Sequence, residues 1–267
     1  MQMKRLRGPW RRLLLATGSV AILCTAGGAS AADLHVLAST ALKPLFEKLG
    51  PEFEAVSGDH LVFAWGASYG DGADTLPGRL RNGERADVVV MIREALDQQV
   101  ENGHVRSESV QNLATSRIGL AVQAGAPRPD IAKVEGLRRT LLGARSVAFS
   151  SGVSGVYLST YLFPKMGIAN QLRPKSIVIE APHLVGQALL EGKAEVGLQQ
   201  MSELLAVPGV EIIGPLPDEV QRVNIIAAAV TSNALQFMGA EALIRFMLGP
   251  EATQELEEFG FGPMGSL

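Results

Sequence analysis

Three short stretches place hydroxyl and small residues at the ends of apolar runs: LASTALKP at 37–44, WGASYGDG at 65–72 and SSGVSGVY at 150–157. In the first, Ser39 or Thr40 can cap a helix whose first turn takes Pro44, where a missing N–H costs least. A helix start exposes unpaired N–H groups and a partial positive charge, so several starts converging on one cleft can hold a desolvated anion without Lys or Arg. Ser and Gly are ordinary turn residues, and one stretch alone carries little. Three at the carboxyl ends of strands, where open α/β sheets place ligands, point to a site.

Other residues could add to that chemistry. Arg93 follows the apolar run 86–92; it is either a bidentate partner for a carboxylate or a solvated residue at the start of a helix. His183 has the near-neutral acidity of a base or donor, and is equally placed to cap a helix. Tyr69 sits in the second stretch, while Tyr157 and Tyr161 share a helical face, where packing is the default. The strand-like run 195–198 ends in Gln199 and Gln200. An amide both donates and accepts, so it can satisfy a carboxylate, a hydroxyl or a protonated carboxyl. Strand alternation turns the two amides to opposite sides, one toward solvent and one toward a cleft.

The elements that must position these residues alternate along the chain. Runs at 34–38, 60–65, 86–92, 117–122, 146–149, 176–179, 195–198 and 222–230 read as strands. Between them, spaced apolar residues such as Leu42, Leu45, Phe46, Leu49 and Phe53 predict helices. Such alternation predicts an α/β fold of mostly parallel sheets with helices on both faces.

Composition narrows the function classes. Residues 1–31 read as an export signal: Lys4, Arg5, Arg7, Arg11 and Arg12, then an apolar run from Leu13 to Cys24, then Ala29-Ser30-Ala31. Arg11-Arg12 leaves general secretion or twin-arginine export open. The only cysteine, Cys24, leaves with this leader, so the mature chain has no thiol chemistry. With 24 Lys+Arg against 27 Asp+Glu and five of the cations in the leader, the remainder carries about −8. Nucleic acid and acidic lipid are poor partners for it. His35, His60 and His104 lack ligand spacing, and no metal site or other cofactor is expected. GASYG is out of register for a nucleophile elbow, which disfavours a serine hydrolase.

The segments LASTALKPLFEKLGPEFE, ADVVV at 86–90, GKAEVGL at 192–198 and FMLGPEATQELEEFGFGP at 246–263 resemble, in order and spacing, the molybdate-binding family of type II solute-binding proteins. The resemblance implies two lobes joined by a two-strand hinge, at 33–116 plus 226–267 and at 117–225. It places ligand contacts at Ser39, Ser68, the turn of Val153, Ser154 and Gly155, the helix start 182–185 including Leu184, and the end of the GKAEVGL strand. Gln199-Gln200 stand where the family has an oxyanion-donating tyrosine, with Gln200 the inward candidate. That departure favours an organic polycarboxylate over molybdate. The resulting expectation is a monomeric periplasmic protein that captures a small anion for an ABC permease. The alternative is an aconitate isomerase in the same cleft, with His183 as base, Arg93 as anchor, and Ser68 and Gln200 as orienting donors.

Overall fold

The computed structural model describes residues 32–180 and 183–266. The expected leader at 1–31, with Cys24, and Pro182 of the expected helix start lie outside the described residues.

In chain order the strands are β1 (Asp33–Ser39), β2 (His60–Gly66), β3 (Val88–Ile92), β4 (Gln111–Gln123), β5 (Val147–Ser150), β6 (Ser176–Ile179), β7 (Val196–Gln200), β8 (Val210–Pro215), β9 (Val223–Val230) and β10 (Phe261–Gly262). The helices are α1 (Lys43–Ser57), α2 (Leu76–Arg81), α3 (Arg93–Glu101), α4 (Val134–Gly143), α5 (Val153–Tyr157), α6 (Phe163–Lys165), α7 (Ala169–Leu172), α8 (Val185–Leu190), α9 (Met201–Leu205), α10 (Phe237–Met247) and α11 (Pro250–Glu258). A π-helical turn, Leu158–Leu162, joins α5 to α6.

The strand order is β2-β1-β3-β9-β4-β7-β5-β6, with β8 and β10 also paired to β4. The α/β class is as expected, but the sheet is mixed. Pairs β1/β2, β1/β3, β5/β6 and β5/β7 are parallel, and every pairing of β4 and β9 is antiparallel. The reason is topological: crossover helices impose parallel pairing on the outer strands, while β4 and β9 run through the middle in opposite senses.

The long strand β4 changes partners at Arg117/Ile118. Its first part pairs β9, from Gln111↔Ala228 to Arg117↔Val223, and its second pairs β7, from Ile118↔Gln200 to Val122↔Val196. At that switch the Gln221 side chain imitates a strand neighbour. Its Oε1 accepts from the Ile118 N–H at 2.9 Å and its Nε2 donates to the Ile118 carbonyl at 2.9 Å.

Each side of the switch has its own packing. Leu34, Phe46, Phe53, Val88, Val90 and Ile244 pack on one face of the β1–β3–β9 section, and Leu37, Leu76, Val89 and Met91 on the other. In the β5–β7 section, Leu120, Leu137, Phe149, Leu162 and Leu198 pack on one face, and Ala148, Val185, Leu189 and Leu204 on the other. Each such Leu or Phe side chain contributes about 1.5–3 kcal/mol by leaving water. Strand β3 is buried at all five positions because sheet neighbours and helices enclose it. At its start, buried Asp87 accepts N–H bonds from His35 (2.9 Å), Leu235 (2.7 Å) and Gln236 (2.9 Å), tying three segments together. Asp87 thus acts on the fold, at the end of β3 away from the strand ends that carry the candidate site.

Candidate functional site

At the carboxyl end of β1, Ser39 is half-buried and Thr40 exposed. The expected hydroxyl cap is absent: Ser39 makes no side-chain capping bond, and Leu42 is the residue ahead of α1. After β2, Ser68 is 5% exposed and its Oγ accepts the Ile92 N–H at 3.3 Å. Its own hydroxyl proton is therefore available to a second acceptor. Tyr69 is half-buried, and its hydroxyl donates to Glu94 Oε2 at 3.2 Å. Burial first, and then the Glu94 carboxylate, push the Tyr69 phenol up to about 12, so it serves as a donor and not as an anion.

In the other section, Val153, Ser154 and Gly155 open α5. Ser154 is buried with its Oγ 3.0 Å from Ser150 Oγ. A Cβ on Gly155 would stand 1.5 Å from the Ser150 carbonyl oxygen, so only glycine allows this helix to start against β5. Val153 packs against the core of the β1–β3–β9 section, so the two sections meet here.

The start of α8 differs from a free anion site. The Leu184 N–H donates to Gln187 Oε1 at 3.0 Å, and the Val185 N–H to Gln199 Oε1 at 2.8 Å. Both donors are occupied by neutral amides from the chain itself. His183 is exposed at the head of this turn, with its N–H on the Glu180 carbonyl at 3.0 Å.

Neither strand-end glutamine faces solvent, which corrects the expectation for Gln199. Gln199 is 2% exposed and binds the α8 start, while Gln200 is 8% exposed and accepts from Ser116 Oγ at 2.9 Å. Alternation holds, but protein covers both faces of β7, so the face that carries Gln199 meets α8 instead of water. Arg93 is also differently engaged. Its Nε donates to Asp97 Oδ1 at 2.7 Å and its Nη1 to Asn112 Oδ1 at 2.8 Å, the alternative of a helix-start arginine satisfied locally. Tyr157 and Tyr161 do share a face, with rings 5.4 Å apart, and the Tyr157 hydroxyl donates to the Val220 carbonyl at 3.0 Å.

Several polar groups at this junction escaped the reading of the sequence. Arg222 Nη2 lies 2.9 Å from Glu94 Oε2, the oxygen that also accepts from Tyr69. Glu203, three residues past Gln200, bonds to the Gln200 backbone and the Gln199 side chain, as an N3 glutamate does in a capping box. It keeps partial exposure, yet burial around its carboxyl outweighs those bonds and pushes it up to about 7. Helix α9, which carries it, packs on the Thr40–Leu42 turn of the first section. The Q-x-x-E spacing, Asn224 in an apolar strand and Ser116 in another were the signals available for these groups. Two shallow surface depressions, ≈ 310 Å³ beside Phe46 and Trp65 and ≈ 320 Å³ beside Phe149 and Phe163, touch none of them. Among the described residues no cluster of His, Cys, Asp and Glu could hold a metal, and no helix is long and apolar enough to cross a membrane.

Comparison with known proteins fits this arrangement. An aconitate isomerase from a Pseudomonas species is 38% identical over 231 residues, covering 86% of this chain and 88% of that protein. The periplasmic molybdate-binding protein of Azotobacter vinelandii shares the fold at a TM-score of 0.66, with 20% identity, 85% of this chain and 98% of that one. A sulfate-binding protein of Mycobacterium tuberculosis does so at 0.68, with 20% identity and 88% of each chain. Residues 34–262 match the family of bacterial extracellular solute-binding proteins, and the chain belongs to that family.

Proposed function

We propose that this protein is an aconitate isomerase built on a solute-binding fold, acting on a polycarboxylate between its two sheet sections. The observation that carries this reading is the 38% identity, over most of both chains, to a relative named for that activity. The occupied α8 start supports it from a second direction. A tetrahedral oxyanion at this helix start would need free N–H donors, and those of Leu184 and Val185 are already spent. A flexible organic acid can use dispersed hydroxyl and amide donors instead, and Ser68 and Gln200 supply them.

Interconversion of cis- and trans-aconitate by an allylic shift removes a proton from the methylene next to a carboxylate and returns one two carbons away. A group that both accepts and returns a proton works best with an acidity near the working pH. We assign that role to Glu203, whose burial gives it such an acidity where α9 meets the Thr40–Leu42 turn. His183, the base expected from the sequence, stands exposed at the lip and becomes a candidate for ligand capture. Ser39, Thr40, Ser68 and the 153–155 turn line the cleft in this reading, with the sections at 33–116 plus 226–267 and at 117–225 closing as lobes. Family membership supports export to the periplasm after removal of 1–31.

A proton NMR time course of trans-aconitate in heavy water tests the activity. The cis isomer should form with deuterium at the former vinyl carbon, which becomes the methylene, and Glu203→Gln should slow it at least a hundredfold. Conversion that Glu203→Gln leaves intact while His183→Ala abolishes it would return the base to His183. The second reading, a polycarboxylate-binding component of an importer with an ABC permease as partner, is favoured by the family itself. It predicts binding of trans-aconitate without any conversion.

A further inference from the structure

We propose that Arg222 is the carboxylate anchor of the cleft and that Glu94 occupies it as an internal stand-in for one carboxylate of the ligand. The proposal rests on the polycarboxylate reading above. Arg222 lies just ahead of β9, in the second crossing between the sheet sections, and its charge acts on groups from both sides. Its Nη2 is 2.9 Å from Glu94 Oε2 in α3, and its charge lowers both the Tyr69 phenol of the first section and the Tyr157 phenol of the second, against the burial that raises each. Its Nε donates to Asn224 Oδ1 at 3.2 Å.

The geometry around Glu94 is that of a bound carboxylate. One oxygen receives both a guanidinium N–H and a phenol O–H, yet Glu94 is 65% exposed and bonded to nothing buried. A carboxylate held by such a set and free to swing into water can be exchanged for another. Arg222 cannot swing as freely, being only 33% exposed and braced by Asn224. The fork of a guanidinium accepts a second carboxylate in the same plane.

An independent observation lies behind Arg222. Asn224 is 2% exposed, and with its carbonyl turned to Arg222 its Nδ2 is buried with no partner among the described residues. A sealed donor of this kind costs on the order of a hydrogen bond and calls for an acceptor. Asn224 faces Ser116 in the β4–β9 register, and Ser116 Oγ donates to Gln200 Oε1. Two bonded pairs, Arg222–Asn224 and Ser116–Gln200, thus lie side by side across the partner switch of β4, joined by strand register. A polycarboxylate reaching from Arg222 toward Gln200 would meet the guanidinium and the amide donors of Asn224 and Gln200, Ser116 being spent on Gln200, whereas a compact tetrahedral oxyanion could reach only one of the two pairs.

The test is calorimetric titration of the mature chain and its variants with trans-aconitate. Glu94→Gln should bind about three- to tenfold more tightly, because the internal competitor is removed. Arg222→Ala should bind at least thirtyfold more weakly, with Arg222→Lys between, as expected for a charge-assisted bond. Glu94→Gln combined with Arg222→Ala separates lost attraction from unmasked repulsion and should remain at least tenfold weak. Circular dichroism melts establish that each variant is folded. If the wild type binds trans-aconitate and Arg222→Ala stays within threefold, or if Glu94→Gln binds more weakly than wild type, the anchor is wrong and the polycarboxylate reading stands. If the folded wild type binds molybdate and no carboxylate, both fall.

Discussion

The start of α8 and the corner around Arg222 are two places where this fold could hold an anion, and they are finished in opposite ways. At α8, two backbone N–H groups that would suit an oxyanion are closed by the amides of Gln187 and Gln199. At Arg222, a full cation is paired with an exposed carboxylate, which in the proposed reading a ligand replaces. The first is a structural joint and the second an exchangeable one. A helix start alone therefore says little about anion binding; what matters is whether its donors are already spent.

The largest effect expected from breaking this comparison is at Gly155, which sets α5 against β5. Gly155→Ala puts a methyl into the Ser150 carbonyl and should destabilise the protein by about 3 kcal/mol or more, read as a lowered urea midpoint. Next is Gln199→Leu, which leaves the buried Val185 N–H without an acceptor. A loss of about 1–3 kcal/mol is expected by the same melt. If the variant instead gained affinity for molybdate in calorimetry, the α8 start would prove to be a masked oxyanion site and the contrast would sharpen.

A third prediction concerns pH. The Glu203 carboxyl is raised from 4.5 to about 7 in the folded chain, so between these values the native state holds a proton that the unfolded state has lost. Its contribution is fully present below about 4.5 and is lost as pH rises through about 7. The loss is bounded by roughly 3 kcal/mol and is reduced by the partial exposure of the residue. Glu203→Gln should flatten the fall in stability between pH 5 and pH 8, measured as urea midpoints across that range. The smallest effect is expected at Arg93. Its pair with Asp97 lies on an exposed helix face, so Arg93→Ala should cost under about 1 kcal/mol and change affinity for trans-aconitate less than twofold.

Much of the fold was legible in the chain because strand and helix periods are local. Runs such as 34–38, 60–65 and 176–179 fall inside β1, β2 and β6. Strand β8, VEIIGP, escaped because its apolar core is only two residues between a Pro-Gly break and a proline, and its pairing with β4 is what makes it a strand. The strand-end residues of the candidate site could be picked out locally, but their pairings could not. Alternation told that Gln199 and Gln200 face opposite ways, but not that α8 covers one side. Nothing local links Glu94 to Arg222, 128 residues apart, or separates Arg93, which is spent on Asp97 and Asn112, from its neighbour Glu94, which reaches the junction. Those facts belong to the packing of elements.

In the proposed reading the cleft is built for carboxylates and closed to tetrahedral oxyanions. Calorimetric titration of the mature protein with trans-aconitate, alone and in excess molybdate, addresses it in one step. Saturable binding with an unchanged dissociation constant in molybdate is expected. Binding of molybdate that displaces trans-aconitate, or a titration that responds to molybdate alone, would contradict that reading.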